Sequence, residues 1–375
     1  MTRTLAKTPF RADIVGSFLR PQVLKDARKQ FQEGEITKED LRSIEDSEIA
    51  KLVEKQKESG LQVVTDGEFR RKYWHADFIC AIEGIRTVEV EVAGFFQGEM
   101  KKLTSYTVAA PLKFPKDHPF LADFRYLSEV AGDHTAKITI PGPNMIFHSG
   151  VLNSDIYADN PPYPSLDAVA KDIAKVYQDA IQAFYDAGCR YLQLDDTSWG
   201  AFFSQASREK MEAKGWDVNE VMERFADITI ESIAHKPDDM MISLHVCRGN
   251  FKSAWLYEGD YEAVAKPLFS KVNVDAFFLE FDNERSGDFD PLRFIQKQNV
   301  VLGLITTKTA ELENSEEIKQ RVAEAAEYVD LDHLCLSPQC GFASTEEGNL
   351  ITEEEQWAKV RHVVQIAHEI WQEER

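Results

Sequence analysis

A histidine and a cysteine two residues apart, His245 and Cys247 in ISLHVC, are followed along the chain by Glu280 in FFLEFD and Cys340 in LSPQCG, each at the end of an apolar run. Imidazole, thiolate and carboxylate are the donors that zinc takes in a tetrahedron. Drawn from three distant segments, they need a rigid fold to bring them together, whereas structural zinc tends to sit in local C-x-x-C pairs that staple a small domain. The pattern therefore looks like a catalytic zinc site. The competing reading takes His245 as a satisfied buried histidine and the two cysteines as small buried hydrophobes.

The elements that would have to position these donors are legible as apolar, β-branched runs: ADIVGS, LQVVTDGEF, KITIPGP, RYLQLDD, MMISLHVC, DAFFLEFD, VVLGLITT and DHLCLSP. Between them lie stretches with apolar residues at spacings of three and four, such as Ser165 to Ala187 and Glu353 to Trp371, which predict helices. Eight strands alternating with helices predict a (β/α)8 barrel in a single domain, 1–375. Two decorations interrupt the rhythm. Arg20 to Gly60 is charged and helical, an N-terminal extension against the barrel's outside, and about 82–114 alternates at period two (TVEVEV, TSYTVAA), a β-hairpin inserted after the second strand.

Ser17, Asp66, Glu68, Asp195, Asp196, His245, Cys247, Glu280 and Cys340 all fall at or just past the C-terminal ends of these runs. That face carries the active site of such barrels, so the polar groups are expected to converge on one pocket. An isolated acid after a strand also serves as a helix cap or loop residue; agreement over several strand ends argues against that for the set.

Composition narrows the partners. The 375 residues carry a net charge of −21, which disfavours nucleic acid and anionic membrane surfaces. No run approaches the roughly 20 apolar residues of a membrane span, and MTRTLAKTPFRAD lacks the apolar core of a signal peptide. Five cysteines without regular spacing argue against a disulfide framework and leave thiols for a metal. The expectation is a cytoplasmic protein.

Over nearly its whole length the chain resembles the C-terminal catalytic half of cobalamin-independent methionine synthase and its short single-barrel relatives. The resemblance rests on VGSFLRP (Val15 to Pro21), VVTDGEFRR (Val63 to Arg71), LQLDD (Leu192 to Asp196), LHVC, FLEFDNERSG (Phe278 to Gly287) and SPQCGF (Ser337 to Phe342), with the ordered H-x-C, E, C set its most specific part. It implies a zinc enzyme that methylates the sulfur of homocysteine to give methionine. By the same resemblance His245, Cys247, Glu280 and Cys340 are the zinc ligands, one ion per chain. Gly16 and Ser17 hold the amino acid's carboxylate, and Glu68 and Asp195 receive its ammonium.

Two departures bear on the methyl donor. Full-length enzymes of the family have a further N-terminal barrel that helps hold the folate, and only one barrel is read here. Lys308, in VVLGLITTKTAELE, stands where they place a histidine credited with protonating the leaving group. With an ordinary pKa near 10.4, a lysine needs desolvation or neighbouring cations to act as an acid at neutral pH. Lys308 and Asp196 are carried as candidate catalytic residues, and the donor as methyltetrahydrofolate or a methylated corrinoid protein. Trp74 and Trp199, soon after strand ends, are candidate stacking surfaces or wall packing. Two alternatives stand beside this reading: a zinc thiol alkyltransferase with another thiol or donor, and a non-catalytic zinc-binding or thiol-sensing protein.

Overall fold

The computed structural model describes residues 9–92 and 101–372. A curled parallel sheet runs in the order β1 (Val63–Val64), β4 (Thr135–Pro141), β5 (Tyr191–Asp196), β6 (Met241–Val246), β7 (Ala276–Glu280), β8 (Asn299–Ile305) and β9 (Leu334–Pro338). Its two edges are joined by the segment 12–17, which makes parallel bridges from Ala12 to Leu336 and from Ser17 to Gly67. The architecture is the expected barrel-type α/β fold.

The first of the eight predicted strands is realised only as those bridges, for a reason visible in its hydrogen bonds. Ile14 N donates to Asp13 Oδ1, and the Ile14, Val15 and Gly16 carbonyls accept from Lys137, Gln193 and Thr65 side chains. Side chains have taken the backbone groups that a ladder would use.

Along the strands, alternate residues face in and out. Leu192, Leu194, Ile242, Leu244, Phe277, Leu279, Leu302 and Leu304 belong to the large apolar cluster shared with the surrounding helices. The intervening positions fill the barrel: Val15, Phe278, Val301 and Cys335 form a small separate cluster there.

Helices lie where the periodicity predicts. Leu166–Asp186 is capped by Ser165, whose hydroxyl accepts from Ala168 N, and Glu353–Trp371 is opened by a capping box from Thr352 and Glu355. The N-terminal extension forms two helices, Gln22–Gln32 and Lys38–Glu58, which bury Leu24, Ala27, Ile49, Leu52 and Val53. The predicted hairpin is the antiparallel pair β2 (Glu83–Val92) and β3 (Lys101–Lys113), following β1; its connection, 93–100, lies outside the described residues. It is fastened to the barrel by Tyr106, whose hydroxyl donates to the Met145 carbonyl at 3.2 Å.

Candidate active site

His245 is the penultimate residue of β6 and Glu280 ends β7, while Cys247 and Cys340 follow β6 and β9 by one and two residues. All four are buried, and one donor atom from each lies within 4.8 Å of the others. The Cys247 and Cys340 sulfurs are 3.7 Å apart. Neither ring nitrogen of His245 makes a hydrogen bond of ordinary geometry, an arrangement that leaves a buried polar group unsatisfied unless something else fills the site.

The electrostatics have the same character. Cys340 is held down to about 5, because Cys247 donates to it and His245 stands beside it; Cys247, on the donating side, is raised well above the ordinary thiol range. Burial works against a charged His245, yet Cys340, Asp195 and Glu280 raise it to about 9. Burial likewise opposes ionisation of Glu280, but Lys308, Arg285 and His245 keep it below its usual value. These directions favour a protonated imidazole beside the Cys340 thiolate and the Glu280 carboxylate. Two sulfurs, one imidazole and one carboxylate at this spacing match the soft, mixed donor set of zinc, and a divalent ion would replace the proton.

Glu280 is oriented by the protein on both oxygens. Arg248 N donates to Oε1 and Arg285 Nη2 to Oε2, each at 2.8 Å, and Arg285 also pairs with Asp282 at 2.8 Å. Sequence reasoning missed Arg285; its only signal was its place in the FLEFDNERSG stretch.

Beside the cluster is a cavity lined by Val15, Ser17, Glu68, Trp74, Asp195 and Ser344, together with His245, Cys247, Cys340 and Gly341. Ser17 Oγ accepts from Ala343 N at 3.2 Å. Gly341 permits this approach, since a β-carbon there would sit 1.9 Å from Ser17 Oγ. Gly16 precedes Ser17, and its carbonyl is tied to Thr65 Oγ1 at 2.6 Å.

Glu68 follows Gly67 with a φ of 59°, a left-handed backbone unusual for glutamate. The strained turn aims its side chain at Thr139, which donates to Oε1 at 2.9 Å, while Oε2 is buried without a partner. Burial raises Glu68 despite the nearby Arg71 and Arg20. Burial also pushes Asp195 up to about 7. Two carboxyls of perturbed acidity thus face one cavity, one of them with an open oxygen, an arrangement suited to a cation.

Of the remaining candidates, Asp196, Lys308 and Trp199 lie apart from the cavity wall. Asp196, on the opposite side of β5 from Asp195, accepts from Ser198 N at 2.8 Å, and burial raises it to about 6. Lys308, past the end of β8, is 7% exposed, and its ammonium makes no hydrogen bond. Trp74 lines the cavity, whereas Trp199 is packed edge-on against Phe202 and Phe225 in the apolar core.

The family model of the cobalamin-independent synthase catalytic domain matches residues 10–369. The chain belongs to this family. It is a methyltransferase of the cobalamin-independent methionine synthase type. Two Bacillus subtilis relatives of uncharacterised function, YxjH and YxjG, are each 50% identical, the first over 99% of this chain and 97% of its own, the second over 97% and 96%. A methionine synthase of Sulfurisphaera tokodaii is 24% identical over 88% of this chain and 84% of its own. Among solved structures, a Listeria monocytogenes protein provisionally described as a vitamin-B12-independent methionine synthase superposes with a TM-score of 0.78 at 45% identity, covering 97% of this chain and 99% of that one. A B12-independent methionine synthase from a Shewanella strain, solved with selenomethionine, shares the fold with a TM-score of 0.72 at 20% identity over 96% and 98% of the two chains. Among the described residues no helix is long and apolar enough to cross a membrane.

Proposed function

We propose that this family member transfers a methyl group to the thiol of homocysteine, giving methionine, with one zinc ion held by His245, Cys247, Glu280 and Cys340, and with a methylated folate or methylated corrinoid protein as donor. The observation that carries the reading is the convergence of those four donors within 4.8 Å beside a cavity walled by Ser17, Glu68 and Asp195. Zinc at these residues supplies Lewis acidity that lowers the pKa of a substrate thiol.

The chain's own groups do the rest. Ser17 and the turn at Gly16 bind the carboxylate of the amino acid, and Glu68 and Asp195 take its ammonium, so the sulfur is delivered at the cluster end of the cavity. A free thiol with a pKa near 8.5 is mostly protonated at neutral pH and is a poor nucleophile, so transfer needs the thiolate. Its electron pair forms the S–CH3 bond while the bond from methyl to donor breaks, the pair leaving with the donor. Arg248 N and Arg285 hold Glu280, giving its carboxylate a fixed place as the sulfur arrives. Where the departing group needs a proton, we assign its delivery to Lys308 Nζ.

The test is zinc content with zinc-edge X-ray absorption on the purified protein, before and after L-homocysteine. One zinc per chain, with two sulfur neighbours rising to three, is the expected result. Absence of zinc after anaerobic preparation, or an unchanged sulfur count, would overturn the reading.

A further inference from the structure

Beneath the cavity, the barrel interior holds a polar chain where aliphatic packing is the norm. Lys137 on β4 is fully buried, and its ammonium donates to Asp13 Oδ1 at 2.8 Å, to Gln193 Oε1 at 3.1 Å and to the Ile14 carbonyl. All three of its protons are thereby used. Asp13 is held in turn by Tyr191, whose hydroxyl donates to Oδ2 at 2.8 Å, and by Ile14 N at 2.7 Å. The ammonium also lies 4.5 Å from the Phe278 ring centroid and 5.0 Å from that of Tyr191.

This fixes the orientation of one amide. Because a lysine ammonium can only donate, the Gln193 oxygen must face Lys137, and its nitrogen must face the other way. There Nε2 donates to the Val15 carbonyl at 2.7 Å and to Asp195 Oδ1 at 2.8 Å. A flipped amide would set oxygen against carboxylate and nitrogen against ammonium. Lys137, Gln193 and Asp195 sit on inward-facing positions of paired strands, with Thr139 opposite Gln193 and Pro141 opposite Asp195. The same chain pins Ile14 and Val15, two and one residues before Gly16.

We propose that Lys137 and Gln193 are positioning residues that hold the Asp195 carboxylate for the ammonium of the amino-acid substrate, an inference resting on the role given above to Asp195. A buried ion pair is seldom retained for stability, since apolar replacements of like volume are often neutral or better. Here the pair sets an amide that sets a site carboxylate.

The experiment compares calorimetric binding of L-homocysteine and of 4-mercaptobutanoate, which keeps thiol and carboxylate but lacks the ammonium, to the zinc-loaded protein. Gln193→Met leaves the Lys137–Asp13 pair in place; Lys137→Met combined with Asp13→Asn removes cation and anion together. Each is expected to weaken L-homocysteine about tenfold while changing 4-mercaptobutanoate by no more than about twofold. Equal losses for both ligands, or none for L-homocysteine, overturn the relay. Should the double variant fail to fold, Gln193→Met decides alone. Asp195→Asn separates the two levels: if it discriminates between the ligands and Gln193→Met does not, only the relay falls, and if Asp195→Asn does not discriminate, the role of Asp195 falls with it.

Discussion

Arg285 donates to Glu280 Oε2 at 2.8 Å from a side chain only 4% exposed, so one carboxylate oxygen is engaged by a buried guanidinium. Removing one partner of such a pair leaves the other charge buried and uncompensated, at a cost of about 3–5 kcal/mol. Arg285→Met is therefore expected to lower the unfolding free energy of the metal-free protein by an amount of that order, read from urea denaturation. Arg285→Lys keeps the charge but not the fork geometry and should lose less. Zinc affinity, read by chelator competition, should fall by about 10–100-fold in Arg285→Met, as for other groups that orient a ligand. An unchanged affinity would mean that Glu280 needs no orientation.

Asp195 gives a pH dependence of definite sign. Burial raises it from 3.8 to about 7. Between those values the ligand-free folded protein holds a proton that the unfolded chain has released, so this group's contribution to stability falls as pH rises across that window. An ammonium ligand favours the ionised carboxylate, so affinity for L-methionine should rise with pH through about 7 and level off above it. Glu68, raised in the same sense, adds to the trend. Calorimetry between about pH 5.5 and 8.5 tests this, and Asp195→Asn should flatten most of the rise. A dissociation constant independent of pH in the native protein would remove Asp195 from the ammonium site.

Residue type and alternation made much of the site legible before any coordinates. Thiolate, imidazole and carboxylate at the ends of apolar runs restrict the chemistry strongly, and the strand period separates the neighbours Asp195 and Asp196, one facing the cavity and one facing Ser198. The helix at Glu353–Trp371 could be read from its apolar spacing. What the sequence concealed is pairing over distance. Nothing in KITIPGP announces that Lys137 meets Asp13, 124 positions away, or that ADIVGS gives its carbonyls to side chains instead of forming a ladder. Such contacts depend on barrel closure, which brings together segments with no local relation.

Gly341→Ala tests the close approach at Ser17. The added carbon would lie 1.9 Å from Ser17 Oγ and 3.0 Å from Ser17 Cβ, so the serine must rotate and release Ala343 N. Overpacking of this kind costs about 1–3 kcal/mol. Weaker binding of L-methionine by a corresponding factor is expected, with zinc content unchanged because the four donors are untouched. Loss of zinc in this variant would show that the serine turn and the cysteine loop move together.

Lys308 presents a buried ammonium without a hydrogen bond, which is costly to maintain, at about 1–3 kcal/mol or more for a charged group. Its charge leads those that keep Glu280 ionised against the effect of burial, yet Arg285 already pairs with that carboxylate directly. The proton-delivering role proposed above would account for this unused donor capacity. Lys308→Met should then lower kcat with a methylated folate by about 10²–10⁴-fold, while the dissociation constant of L-homocysteine moves by no more than about twofold. Methyl iodide, whose leaving group departs without protonation, should be consumed equally well by both proteins. If the variant is as impaired with methyl iodide as with the folate, Lys308 shapes the site and delivers no proton; if it is impaired with neither, the ammonium has no part in transfer.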